Sequence, residues 1–85
     1  MLIFLYFDWL GSSTELKEWE IKITEACVNT DVEYNGLFSS MNEKWNYVSI
    51  FETEVYGNFL AMGKKVPRPP LMPHNIVEVF LPQNI

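Results

Sequence analysis

The chain has 85 residues, a length that supports one domain but not two separate hydrophobic cores, so we expect a single domain over residues 1–85. Eleven acidic residues against six basic ones give a formal charge of −5, which disfavours a nucleic-acid-binding protein. A single cysteine excludes an intrachain disulfide, and the absence of CxxC and HxxxH pairs leads us to expect no metal and no cofactor.

The first two predicted elements are a strand and a helix. Residues 2–9 are β-branched or aromatic almost throughout, which favours a strand. Ser12 and Glu15 have the spacing of a capping box and predict the start of a helix of about fifteen residues. Its apolar residues recur at helical spacing, and the pattern ends near residues 29–31. They are Leu16, Trp19, Ile23, Ala26 and Cys27.

The next two predicted elements are strands, over residues 32–40 and 47–52. Asn35-Gly36 lies in the middle of the first of them, and this dipeptide also favours a tight hairpin turn. We favour a glycine bulge within one strand, because a hairpin would leave two very short flanks.

The last part of the chain predicts a helix, a stiff connector and a strand. Residues 53–65 carry a weaker helical pattern that ends in two lysines, whose charge suits the negative end of a helix dipole. The proline-rich segment 67–73 predicts an extended connector. Residues 76–81 predict the fourth strand, which Pro82 terminates.

The element order β-α-β-β-α-β predicts an α+β fold of the ferredoxin-like type. With right-handed crossovers, this order gives a four-stranded antiparallel sheet with both helices on one face. The first and third strands become central and the other two become edges.

Two helices cover only one face of such a sheet, and the strands are apolar on both. We expect the more aliphatic set to face the helices: Ile3, Leu5, Phe7, Val48, Ile50, Val77, Val79 and Leu81. The other set would then be open: Phe4, Tyr6, Asp8, Tyr47, Ser49, Phe51, Ile76, Glu78 and Phe80, with Tyr34 and Phe38 as further candidates. The open set would form an apolar patch of about 700 Å². The largest apolar patch on a typical monomer is ~300–600 Å², so we expect a homodimer through this open face.

The polar groups of the open set allow two interpretations. One is a wet dimer interface with these groups near its rim. The other is a small cavity between the sheet and its helices or partner, lined by Tyr6, Tyr47 and Phe51, with Asp8 or Glu78 as a polar anchor or proton acceptor.

Residues 46–53, the short helix after them and residues 69–80 resemble the second half of a dimeric α+β barrel domain. The resemblance implies a ferredoxin-like homodimer with a pocket in each subunit. Relatives of this kind include cofactor-free monooxygenases of aromatic compounds, haem enzymes and ligand-binding regulators. In some of them a histidine binds haem or transfers protons, whereas His74, the only histidine here, is also explained as a surface or strand-capping residue.

The leading functional hypothesis is a small homodimeric binding or interaction protein without a cofactor. The alternative is a cofactor-independent monooxygenase- or isomerase-like enzyme acting on a small aromatic or polyketide-like substrate. For such an enzyme the catalytic candidates are Asp8, Tyr47 and His74, and the ligand-binding candidates are Tyr6, Phe51 and Glu78.

Two further sequence features bear on partners and location. Lys64, Lys65 and Arg68 lie within five positions, and they could either hold an anionic ligand or complement the helix end. No signal-peptide pattern occurs, and the apolar runs are shorter than the ~20 residues that span a bilayer, so we expect a cytoplasmic protein without a membrane partner.

Overall fold

The fold is known from a computed structural model, which describes residues 1–84. The elements are β1 (Leu2–Phe7), α1 (Ser13–Asn29), β2 (Glu33–Ser39), β3 (Tyr47–Glu52), α2 (Tyr56–Lys65) and β4 (Asn75–Phe80). The strands form one antiparallel sheet in the order β2-β3-β1-β4. This confirms the predicted ferredoxin-like α+β fold, with β1 and β3 at the centre of the sheet.

The predicted capping box starts α1. The side chain of Ser12 accepts a hydrogen bond from the Glu15 amide at 3.1 Å, and the Glu15 carboxylate accepts one from the Ser12 amide at 2.9 Å. Each side chain therefore satisfies a backbone donor that the first helical turn leaves unpaired. The five apolar residues predicted for the inner side of the helix are all buried.

A glycine bulge interrupts β2, as predicted. The register with β3 shifts between Tyr34 and Gly36, and Gly36 has a φ of 121°. A residue with a Cβ atom would be strained at this φ, so the bulge requires glycine. The strand continues on both sides of it, which excludes the hairpin alternative.

The boundaries of the other elements differ slightly from those predicted. β1 ends at Phe7 rather than at residue 9, and α2 begins at Tyr56 rather than at residue 53. Thr53 instead forms a turn, since its hydroxyl accepts a hydrogen bond from the Val55 amide at 3.3 Å. The connector before β4 folds back on the segment after β1, where the Leu10 amide donates to the Leu71 carbonyl at 2.9 Å.

The predicted orientation of β3 is wrong. Residues directly opposite in an antiparallel pair share a face, and the register pairs Ile3 with Phe51 and Phe7 with Tyr47. The β1 residues are buried beneath the helices, so Tyr47, Ser49 and Phe51 lie on the helix side and Val48 and Ile50 lie on the open side.

Two smaller corrections concern the sheet edges. Tyr34 of β2 pairs with Phe51 and therefore faces the helices, whereas Phe38 pairs with Val48 and faces away from them. Leu81 was predicted to face the helices, but it lies beyond the end of β4 and is 69% exposed, so it is not part of the core.

Candidate functional site

The face of the sheet that the helices leave uncovered is apolar, and we call it the open face. Its members are Leu2, Phe4, Tyr6, Phe38, Val48, Ile50, Ile76 and Phe80. Phe38, Ile76 and Phe80 are 48%, 46% and 44% exposed. Because Tyr47, Ser49 and Phe51 are on the other side, the polar residues of the open face are not the set that the sequence predicted.

The charged residues of the open face are acidic. Glu33 and Glu52 lie opposite each other on β2 and β3, and Glu78 lies opposite Phe4. Asp8 follows the end of β1, where its carboxylate accepts a hydrogen bond from the Asn46 amide at 3.0 Å. The open face is thus an apolar surface with negative charge at its margins.

On the other side of the sheet, an apolar cavity of about 520 Å³ lies between the sheet, the two helices and the start of the connector. We call it the α2 cavity. Its apolar walls come from the sheet, from α1, from α2 and from the connector. These residues are Leu5, Phe51, Trp19, Ile23, Phe59, Leu60, Met62, Gly63, Val66 and Pro67. The remaining two residues, Lys64 and Arg68, are exposed cations and place positive charge at its rim.

Trp19 separates the α2 cavity from a second cavity. The second cavity, of about 600 Å³, lies between α1 and the connector, and Trp19, Val66 and Pro67 line both. The side chain of Trp19 is only 6% exposed, and its indole N–H is buried without a hydrogen-bond partner among residues 1–84. An unsatisfied buried donor costs about 1–3 kcal/mol.

A buried hydrogen-bond network explains why a serine is tolerated on the helix side of β3. The hydroxyl of Tyr34 donates to the Glu20 carboxylate at 3.0 Å and lies 3.4 Å from the Ser49 hydroxyl. Burial raises the pKa of Tyr34 well above its ordinary value, and the nearby Glu20 carboxylate acts in the same direction. Tyr34 therefore remains a neutral donor at physiological pH.

The three catalytic candidates lie at one end of the sheet. The Asp8 amide donates to the His74 carbonyl at 3.2 Å, and Tyr47 is the register partner of Phe7. Their side chains have different surroundings, however. The ring of Tyr47 stacks on that of Phe7 at 5.5 Å on the helix side, the Asp8 carboxylate binds the Asn46 amide, and His74 is exposed.

The three ligand-binding candidates are divided by the sheet. Tyr6 and Glu78 lie on the open face, because they pair with Val48 and Phe4. Phe51 lies on the opposite side and lines the α2 cavity. The predicted cavity that combines Tyr6, Tyr47 and Phe51 is therefore not formed within one subunit.

The sequence did not reveal the wall of the α2 cavity. Trp19, Phe59 and Met62 follow helical spacing, which indicates a buried side but not how closely that side approaches the sheet. The cluster of Lys64, Lys65 and Arg68, of which Lys64 and Arg68 line the cavity, was the one signal of this region in the sequence.

Two features are absent from residues 1–84. These residues contain no cluster of three or more His, Cys, Asp or Glu side chains that could hold a metal ion. Neither α1 nor α2 is both long enough and apolar enough to cross a membrane.

Burial of Cys27 predicts a loss of stability at alkaline pH. The thiol is 1% exposed, and burial raises its pKa from 9.0 to about 11. In the unfolded chain this thiol loses its proton at about pH 9, whereas in the folded chain it keeps the proton up to about pH 11. The free energy of unfolding is therefore unaffected by this thiol below pH 9, and it falls as the pH rises from 9 toward 11. Urea unfolding across this interval should show the decline, and Cys27→Ala should show a smaller one. An equal slope in both proteins would contradict the assignment.

The chain was also compared with known proteins. No protein-family model matches it, and no curated protein is similar to it in sequence. The structure therefore shows the ferredoxin-like fold, and no family is assigned to the chain.

Proposed function

We propose that this chain is a homodimeric binding protein in which two copies pair through their open faces, as in the dimeric α+β barrel proteins that it resembles. The proposal is carried by one observation: the open face carries eight apolar or aromatic residues of the four strands on the side opposite the helices, and all of them except Val48 are at least partly exposed. A second copy offers a surface of the same shape and chemistry, and a two-fold axis brings each residue against its counterparts.

The size of the open face suits a small dimer interface. Strands of about six residues are about 20 Å long, and four strands are about 19 Å wide, which gives roughly 400 Å² in projection. Side-chain relief and the flanking loops increase the accessible area toward the ~800 Å² per subunit of a standard interface. At about 25 cal/mol per Å², burying even ~500 Å² on each subunit returns about 25 kcal/mol before costs. Association costs about 4–15 kcal/mol plus side-chain ordering.

The enzyme alternative lacks comparable support. A general base needs to lie within hydrogen-bonding distance of the proton that it abstracts, in a site shared with the other groups. Asp8, Tyr47 and His74 share an end of the sheet, but the ring of Tyr47 is packed against Phe7 and His74 is exposed. We therefore place binding ahead of catalysis.

Sedimentation equilibrium tests the homodimer. We expect a species of twice the 10.0 kDa chain mass at micromolar concentrations. The acidic margins repel each other in such a dimer, so its dissociation constant should fall as the salt concentration rises from about 0.02 M to about 0.5 M and screens the charges. A species that keeps the mass of one chain up to about 1 mM at both salt concentrations would contradict the proposal.

A further inference from the structure

We propose that the α2 cavity is a binding site for an apolar carboxylate, a small molecule with an aromatic or aliphatic body and one carboxylate group. This site lies on the side of the sheet opposite the open face, so it goes beyond the proposed dimer and is independent of it. Two features of the cavity carry the inference: its walls and the charge at its rim.

The walls select an apolar body. The cavity volume of about 520 Å³ is within the ~300–1,000 Å³ usual for small-molecule sites. Trp19 on α1 and Phe59 on α2 contribute aromatic rings to the walls, and the fully buried Phe51 of β3 supports the ring of Phe59. The rings of Phe51 and Phe59 meet edge to face at 5.2 Å, which gives this part of the wall a defined geometry.

The rim selects a negative charge. Lys64 lies in the last turn of α2, where a positive charge also stabilises the helix dipole. Arg68 lies beyond the end of that helix, and the dipole falls off within the last turn, so helix stabilisation does not account for it. Pro67, which also lines the cavity, fixes the backbone φ of the residue directly before Arg68. A guanidinium binds a carboxylate through two parallel hydrogen bonds.

Trp19 contributes its ring to the wall rather than its N–H. The indole nitrogen is itself buried and Trp19 lines both cavities, so its unpaired donor does not distinguish the α2 cavity from the second one. The preference for a carboxylate over a hydrocarbon of equal size therefore depends on Lys64 and Arg68.

The test compares 1-naphthoate with 1-naphthamide, a neutral molecule of nearly the same shape, using isothermal titration calorimetry on the full chain. We expect the carboxylate to bind at least about tenfold more tightly. Indole N–H resonances in ¹H–¹⁵N spectra provide a second readout, because the chain has three tryptophans and that of Trp19 should shift most. Binding of naphthalene, which has no charge, should also be weaker than that of the carboxylate.

The double variant Lys64→Gln/Arg68→Gln should reduce the preference for the carboxylate to less than about threefold. Lys17→Gln/Lys44→Gln is the matched control, since it removes the same net charge from exposed residues that line neither cavity, and it should keep the preference. Equal affinities for carboxylate and amide, or a control that loses the preference as fully as the rim variant, would overturn the ligand class. Failure of all three probes to bind would overturn the site itself. None of these outcomes bears on the proposed dimer, which is tested separately by the solution mass.

Discussion

Replacement of Ile76 by glutamate should raise the dissociation constant of the proposed dimer at least about 100-fold, equivalent to about 2.7 kcal/mol. Ile76 is 46% exposed on the open face, where it lies opposite Tyr6. A carboxylate at this position would be buried in the interface without a basic partner and on the same side of β4 as Glu78. Sedimentation equilibrium of the variant should therefore give the mass of one chain at concentrations where the unmodified protein is dimeric.

Ile21→Glu is the matched control for this change. Ile21 is 51% exposed and lies on α1, on the opposite side of the sheet from the open face. The same substitution there adds the same charge to a residue of similar exposure, so it should leave the solution mass unchanged. If Ile76→Glu sediments as a dimer with unaltered affinity, the two chains do not associate through the open face.

Local signals in the sequence were sufficient to predict the ferredoxin-like fold. The capping box at Ser12 and Glu15 depends on contacts over three residues, and it forms as predicted. Gly36 was correctly interpreted as a bulge because a hairpin there would leave two very short flanks. Such signals depend on backbone chemistry within a few residues of one another, which a single sequence contains in full.

The orientation of β3 could not be obtained in the same way. Val48, Ile50 and Phe51 make both alternating sets apolar, so neither set is marked as the buried one. Ser49 is fully buried although a serine usually indicates an exposed position. Its hydroxyl is satisfied by Tyr34, which is fifteen residues away in the chain and reaches it only in the folded sheet. The burial of the Ser49 hydroxyl therefore depends on a hydrogen-bond partner from another strand.

The corrected orientation separates two surfaces that the sequence had merged. Phe51 belongs to the α2 cavity, while Tyr6 and Glu78 belong to the open face. The sequence analysis treated the dimer interface and the ligand cavity as alternatives for one surface. We now propose them at two different places, one on each side of the sheet. Each can then be tested by substitutions that do not touch the other.

Phe51→Ala should lower the free energy of unfolding by about 3–5 kcal/mol, the usual cost of truncating a fully buried phenylalanine. Phe51 is 0% exposed, and its ring contacts those of Tyr34 and Phe59 at centroid distances of 5.3 and 5.2 Å. An 85-residue domain has a total stability of roughly 4–13 kcal/mol, so this loss removes between about a quarter and all of it. Urea unfolding at 15 °C, followed by circular dichroism, measures the difference.

Phe80→Ala gives the contrasting case, because the same truncation occurs at a residue that is 44% exposed on the open face. Within one subunit it removes mainly an edge-to-face contact with Phe4 at 4.9 Å, and the loss should be about 1 kcal/mol. Its larger effect should come through the dimer, whose unfolding midpoint rises with protein concentration. The midpoint of Phe80→Ala should depend less on concentration than that of the unmodified protein, while Phe51→Ala should lower the midpoint and keep the dependence. If Phe80→Ala retained the full dependence, this residue would not contribute to the association, and the apolar surface around it would need another explanation.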